Sequence, residues 1–520
     1  MTTTVPGVIL ENGVIRTMEP SLPVAHALAI AGERIAGGVG THETALVSPE
    51  RVDLGGRCVL PGFNDSHVHF PTWSLAQRQV RLEGAASLDE ALDRVATAAR
   101  DVQPGHWLRG TGWRTGDWSP AVEPTKDVLD RVTGDTPTAL MARDYHSLWL
   151  NSAALAQADG DLEVAGGVVV RDERGEPTGV LREECAWHFR DLHVRPTEDE
   201  MVEASREGVR IASARGVTAV HDKDGWLGAL GVWQRLRAGG SLSVRVWQSL
   251  PADQVDELAV LRIRSGFGDD LLRVGYLKAF MDGTLGSQTA RMLDGSGVEI
   301  TSRDELVDFI RRGAAAGIPL AVHAIGDLAN REALDAFEET RSLWHPLGLR
   351  PRIEHAQCLA PEDVPRFAQL GVAASVQFSH APSDRDLADR FWAGETDGAY
   401  AYRSLWDTGA LLANGSDAPI EELDPWAGVC AGVLRTIDQR PAWHPEQCVT
   451  LEEALQATTV NAAWLAGDEH RRGKLVPGFL ADLVVLDSDP FEVAGEELRD
   501  VRVVATMLGG RWTHNPPPWD

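Results

Sequence analysis

The chain has 520 residues, 43% hydrophobic and 24% charged, the balance of a globular enzyme with length for two or three domains. Its 77 Asp and Glu outnumber 49 Lys and Arg, and a formal charge of −28 argues against nucleic acid or an anionic membrane as a partner, since phosphate binding needs clustered Lys and Arg. No run of about 18 apolar residues occurs, so no membrane-spanning helix is expected.

Cys58, Cys185, Cys358, Cys430 and Cys448 are scattered, odd in number and without Cys-x-x-Cys spacing. They imply a reduced, cytoplasmic protein with neither a disulfide framework nor a thiolate zinc site. The stretch Met1–Pro6 lacks the basic start and apolar middle of a secretory signal.

From the start of the chain, short β runs and turns fill residues 5–60. Val8-Ile9-Leu10 and Val14-Ile15-Arg16-Thr17 flank Glu11-Asn12-Gly13, a hairpin signature, and the segment reads as a small antiparallel sheet. The end of the chain has the same character, with Leu483-Val484-Val485-Leu486 and Val501–Leu508 as strands. Each end is too small to hold a core alone, so one β-sandwich from residues 1–60 and 470–520 is the economical reading.

Next comes His67-Val68-His69, behind the break at Pro61-Gly62. Side chains at i and i+2 of a strand share a face, so both imidazoles can reach one metal ion. Residues 101–190 fit no repeating unit. They hold Trp107, Trp113, Trp118, Trp149 and Trp187 of the 17 tryptophans and read as a long insertion at a barrel mouth, with one barrel strand near Thr138–Arg143.

Elsewhere residues 61–469 repeat a helix, a glycine and an apolar strand ending in a polar residue. Capping boxes begin helices at Ser87/Glu90, Thr197/Glu200, Ser302/Glu305 and Thr450/Glu453. Gly216, Gly317, Gly371 and Gly409 precede the apolar runs. Near-continuous apolar strands alternating with helices predict a parallel sheet, and about eight units predict a (β/α)8 TIM-like barrel. In such a barrel the strand C-termini line the active site. His67, His69, His221, Lys278, His323, His355, His380 and Asp417 fall at or just after such ends. Lysine's ammonium has no lone pair for a metal, but a buried neutral amine can capture carbon dioxide as a carboxylate bridge.

These motifs resemble the amidohydrolase superfamily. The chain is most similar to its third amidohydrolase family, which includes N-substituted formamide deformylases. The resemblance runs through Gly179–Glu183, Lys278–Gly283, Val322–Asp327, Ile353–His355, Gly415–Pro419 and Leu475–Asp482. It implies a metal-dependent hydrolase with one or two divalent ions, zinc foremost. His67 and His69 would hold one ion, His323 and His355 the other, and Lys278 would bridge as a carbamate, with Glu183 as the alternative bridge. Asp417 would ligate and move the proton from metal-activated water to the leaving nitrogen. His146 and His380 are candidate substrate contacts, and Trp113 and Trp118 candidate walls of an aromatic pocket.

The expected reaction is hydrolysis of a non-peptide C–N bond in a small molecule, an amide or N-substituted formamide. The alternatives are ring deamination and lactone or ester hydrolysis on the same scaffold. Deaminases of this superfamily carry His-x-x-Glu at the third histidine, whereas this chain reads His323-Ala324-Ile325-Gly326. The expected partner is the substrate alone, with homodimerisation open.

Overall fold

The structure is a computed structural model that describes residues 7–36, 50–103, 105–158, 162–392, 394 and 398–519. The segment Met1–Pro6, read above for a leader, lies outside the described residues. The chain forms two compact units, one of Met1–Phe70 with Arg206–Asp520 and one of Pro71–Ser205.

In the larger unit, among the described residues, eight parallel strands pair in chain order. They are Phe63–Val68, Val217–Asp222, Arg245–Pro251, Leu272–Phe280, Leu320–Ala324, Arg352–His355, Ala373–Val376 and Leu412–Asn414. Their apolar side chains are buried against helices such as Arg303–Ala316 and Asp327–Glu339, so the runs carry no polar alternation. Gly317 and Gly371 end helices at φ 75° and 78°, where a Cβ would be strained, and each leads into the next strand. Three of the four predicted capping boxes form, Thr197 with Glu200, Ser302 with Glu305 and Thr450 with Glu453, while at Ser87 the side chain caps Glu90 N but the Glu90 carboxylate accepts from Ala86 N instead.

The first and last strands meet. Asp417 N donates to His67 O at 2.7 Å and His69 N donates to Ala418 O at 2.9 Å. Gly415 makes that approach possible, because a Cβ there would lie 2.4 Å from His67 N. The buried Asp65 carboxylate clasps the seam, accepting from Ser416 Oγ at 2.6 Å, Ser416 N at 3.1 Å and His67 N at 3.1 Å. The result is a TIM-like barrel.

A second sheet of this unit joins both chain ends. Its order runs Arg511–His514, Val503–Leu508, Leu483–Leu486, Cys58–Pro61, Val8–Arg16, Val24–Ala31 and Arg34–Ile35, with Arg51–Asp53 beside Val8–Arg16. The ends meet where Val484 lies opposite Leu60. The sheet is mixed rather than antiparallel, since Val8–Arg16 pairs parallel with two neighbours. Nor does Asn12-Gly13 turn a hairpin. Val8–Arg16 is one strand, and Asn12 at φ 60° sits in an irregularity of its ladder with Val24–Ala31. The Asn-Gly signature here marks a bulge.

The smaller unit lies in sequence between the first and second barrel strands. It begins and ends beyond the 101–190 expected, and it has a six-stranded sheet of its own. Thr138–Ala142 belongs to that sheet, paired with Leu108–Trp113 and Ser147–Leu150, and not to the barrel. The strand that completes the barrel instead is Arg245–Pro251, whose Arg, Gln and Ser interrupt the apolar pattern.

Trp113, Trp118 and Trp149 pack together in the core of the smaller unit, with ring centroids 6.2–6.4 Å apart. The Trp113 and Trp149 indoles donate to Leu140 O and Thr125 O. Trp113 and Trp118, expected as pocket walls, are 4% exposed, so almost all of their surface is committed to this core. Replacing Trp149 by Ala is predicted to lower the unfolding free energy of this unit by about 3–5 kcal/mol. Urea titration followed by limited proteolysis between residues 71 and 205 checks it, and an unchanged midpoint would contradict the packing role.

Candidate metal centre

Asp417 is the hub. It follows the last barrel strand at φ 57°, a left-handed conformation that its bond to His67 O holds. Its carboxylate lies 3.2 Å from His67 Nε2 and 3.7 Å from His69 Nε2 on one oxygen. On the other it lies 3.8 Å from both His355 Nδ1 and His380 Nε2. His355 is also at positive φ, 75°, at the end of its strand. Burial pushes the Asp417 carboxyl up, but His67, His355 and His380 outweigh it and hold the pKa well below the usual range.

His67 and His69 are each oriented by a partner on the nitrogen away from Asp417, whereas the partner of His355 is on Nδ1, the same nitrogen that lies nearest Asp417. His67 Nδ1 meets Glu354 Oε2 at 2.8 Å, His69 Nδ1 meets Asp224 Oδ1 at 2.7 Å and His355 Nδ1 meets Gln377 Oε1 at 2.9 Å. Because oxygens can only accept, those contacts place the proton on Nδ1 and leave the lone pair on Nε2. For His67 and His69 that lone pair faces an ionised carboxylate. His67 Nε2 is buried with no hydrogen-bond partner. Lone pairs converging at this distance repel unless a cation lies among them. The two nitrogens and one oxygen of His67, His69 and Asp417 are a donor set suited to zinc.

Burial lowers the pKa of His67, keeping it neutral as a ligand must be. Burial also lowers that of His355, with His323 beside it, and takes it well below the usual value. For His69 burial pulls down, but Asp224 outweighs it and the net shift is upward.

His355, His380 and Asp417 form a second grouping that could hold an ion. His380 differs from the others, because its Nδ1 faces the amide nitrogen of Gln357 at 2.9 Å. With the amide so placed, the proton sits on Nε2, toward Asp417, and His380 is a donor into the site. Only with the amide turned over does it become a ligand.

His323, expected as a ligand beside His355, stacks edge-on against it with centroids 4.5 Å apart. Its Nε2 is 3.0 Å from Gly283 O and so donates there, which leaves only Nδ1 for a metal. Neither metal-capable grouping among the described residues includes it.

Lys278 is 1% exposed, its Nζ has no hydrogen-bond partner, and the ammonium lies 4.4 Å from the Phe280 ring centroid. Burial brings its pKa down to about 8, against the pull of Glu354 and Asp417. A neutral amine fraction at neutral pH is what carbamate formation needs. His146 and Glu183 lie in the smaller unit and pair with each other, Nδ1 to Oε2 at 2.6 Å, with Glu183 at φ 52°.

Several positioning residues were not singled out from the sequence. Glu354 is fully buried among His67 Nδ1, Lys223 Nζ at 2.9 Å and Arg352 Nε at 2.8 Å, and those charges hold its pKa well below normal against burial. Asp224 and Gln377 serve His69 and His355 in the same way. A charged residue inside an apolar strand run was the available signal, since such burial is costly without a partner. His221, expected at the site, accepts at Nδ1 from Arg352 and belongs to this supporting layer.

Comparisons with known proteins agree with this architecture. The profile of the amidohydrolase family matches residues 50–514. Protein LONG AFTER FAR-RED 3 of Arabidopsis thaliana is 32% identical over 98% of this chain and 91% of its own. The N-substituted formamide deformylase of Arthrobacter pascens is 29% identical over 96% of both chains. An uncharacterized metal-dependent hydrolase from Pyrococcus furiosus has a crystal structure that superposes with a TM-score of 0.74 at 30% identity, covering 93% of this chain and 100% of that one. The chain belongs to the amidohydrolase family and is a hydrolase.

Proposed function

We propose that this protein is a zinc-dependent hydrolase of a non-peptide C–N bond in a small molecule, an N-substituted formamide or related amide. The observation that carries the reading is the set of imidazole nitrogens facing the ionised Asp417, two of them with lone pairs fixed toward it. In this reading His67, His69 and Asp417 hold a metal ion. The orphaned amine of Lys278, carbamylated, and the His323–His355 pair are the further ligands for a second ion. When bound, the ion would polarise a carbonyl and acidify water.

The protein's own groups account for the proton. Asp417, held ionised, accepts it from water and returns it to the departing nitrogen, so no free amide anion has to leave. His380 Nε2–H points toward Asp417 and can donate to the carbonyl oxygen as negative charge develops there. A deaminase would need a proton donor after His323, and the residue three on is Gly326 at a helix start. The relation to the Arthrobacter pascens deformylase favours a formamide. The sheet built from both chain ends is the family's β-sandwich in this reading, residues 71–205 its insertion, and the setting cytoplasmic.

Zinc-loaded protein should release amine from at least one substituted formamide or amide in a panel that also holds cyclic imides, lactones and ring amines. Turnover of lactones or ring amines alone would overturn the assignment. His67→Ala and His69→Ala should each lose bound metal by elemental analysis. Asp417→Asn should keep metal and lower kcat by about 10²–10⁴-fold.

The bridge separates cleanly. Lys278→Ala should lose activity and regain part of it with short carboxylic acids, while Glu183→Gln should keep its full metal content. The opposite pattern would transfer the bridge to Glu183.

A further inference from the structure

We infer that Trp226 and Phe280 form the wall that receives an aromatic ring of the substrate beside the scissile bond, an inference that rests on the hydrolase reading above. The two rings lie with centroids 5.3 Å apart, tilted by 47°. Phe280 continues to the site, its centroid 5.1 Å from that of His323, which is 4.5 Å from His355. Trp226 is 42% exposed, and among the described residues it is the one tryptophan in the exposed class. The tryptophans of the smaller unit's core, by contrast, have no ring face left to offer.

Both rings are fastened to elements that carry the centre. Phe280 is two residues after Lys278 on one strand, and Phe280 pairs with His323 in the ladder. Trp226 sits in the 3-10 turn Gly225–Leu227, directly after Asp224, whose carboxylate orients His69. That turn is fixed against the third barrel strand. A Cβ on Gly225 would lie 2.7 Å from Ser249 O, and Gly228 closes the turn in a left-handed conformation at φ 78°. The backbone turn that carries the indole thus directly follows the residue that orients His69.

A third ring packed tilted against such a pair is an arrangement aromatic groups favour beyond the area they bury. An aliphatic amide would gain only part of that contact. The site would thus prefer amides or formamides with an aryl group on the substrate.

Hydroxamates test this without turnover, because they chelate zinc and can carry either substituent. Affinities of phenylacetohydroxamate and acetohydroxamate would be measured by calorimetry on the zinc-loaded protein, on Trp226→Ala, on Trp226→Phe and on Phe280→Leu. The wild type should prefer the phenyl compound by on the order of tenfold or more. Trp226→Ala and Phe280→Leu should shrink that ratio toward one, and Trp226→Phe should keep most of it. Equal binding of the two compounds by the wild type, or an unchanged ratio in both shortened variants, would overturn the inference while leaving the hydrolase reading intact. Failure of both compounds to bind would instead sink the metal-site reading, and the inference with it.

Discussion

The seam between the first and last barrel strands is the constraint on which the site depends. His67 and His69 stand on one side of it and Asp417 on the other, 348 and more residues apart in the chain. Backbone bonds of 2.7 and 2.9 Å fasten them, with Asp65 clasping Ser416 and His67 from beneath. The clasp is costly. Burial pushes the Asp65 pKa up to about 7 in spite of the donors from Ser416 and His67. A carboxylate kept there against that cost fixes the distance between His67 and Asp417 more tightly than apolar packing could, since its hydrogen bonds have direction.

A second layer of buried charge does for the imidazole orientations what the seam does for the backbone. Glu354 draws His67 by one oxygen and is itself held by Lys223 and Arg352 on the other. Arg352 also stacks over Tyr276 and donates to Ser66 O, which ties this layer back to the first strand. Such a network contributes little net stability compared with apolar packing of the same volume. What it supplies is a single tautomer and a single direction for the His67 lone pair. The positive φ of His355 and Asp417 fits the same pattern, with local backbone strain borne where the chemistry is placed.

The barrel was legible because parallel strands buried on both faces read as apolar runs, and because glycines and capping boxes punctuate them. Arg245–Pro251 escaped notice because Arg245 is drawn inward by Asp482 and Gln248 by backbone carbonyls, so its polar residues are buried too. The sheet of the smaller unit was not legible as separate, because it uses the same apolar strand vocabulary as the barrel. His67, His69 and Asp417 were visible as motifs. The geometry of His323 and His380 was not, since it turns on which ring nitrogen meets Gly283 O or the Gln357 amide, and spacing in the chain carries no information about that. The burial of Trp113 and Trp118 was hidden for a related reason. Composition counts indoles but does not say which face a core and which face solvent.

The central claim is that the atoms converging on Asp417 enclose a metal ion. Anomalous diffraction at the zinc edge from zinc-equilibrated crystals tests it most directly. The account predicts a strong peak within coordination distance of His67, His69 and Asp417, with any second peak beside His355. Zinc found only at surface carboxylates, with none among these three side chains at saturating metal, would contradict it.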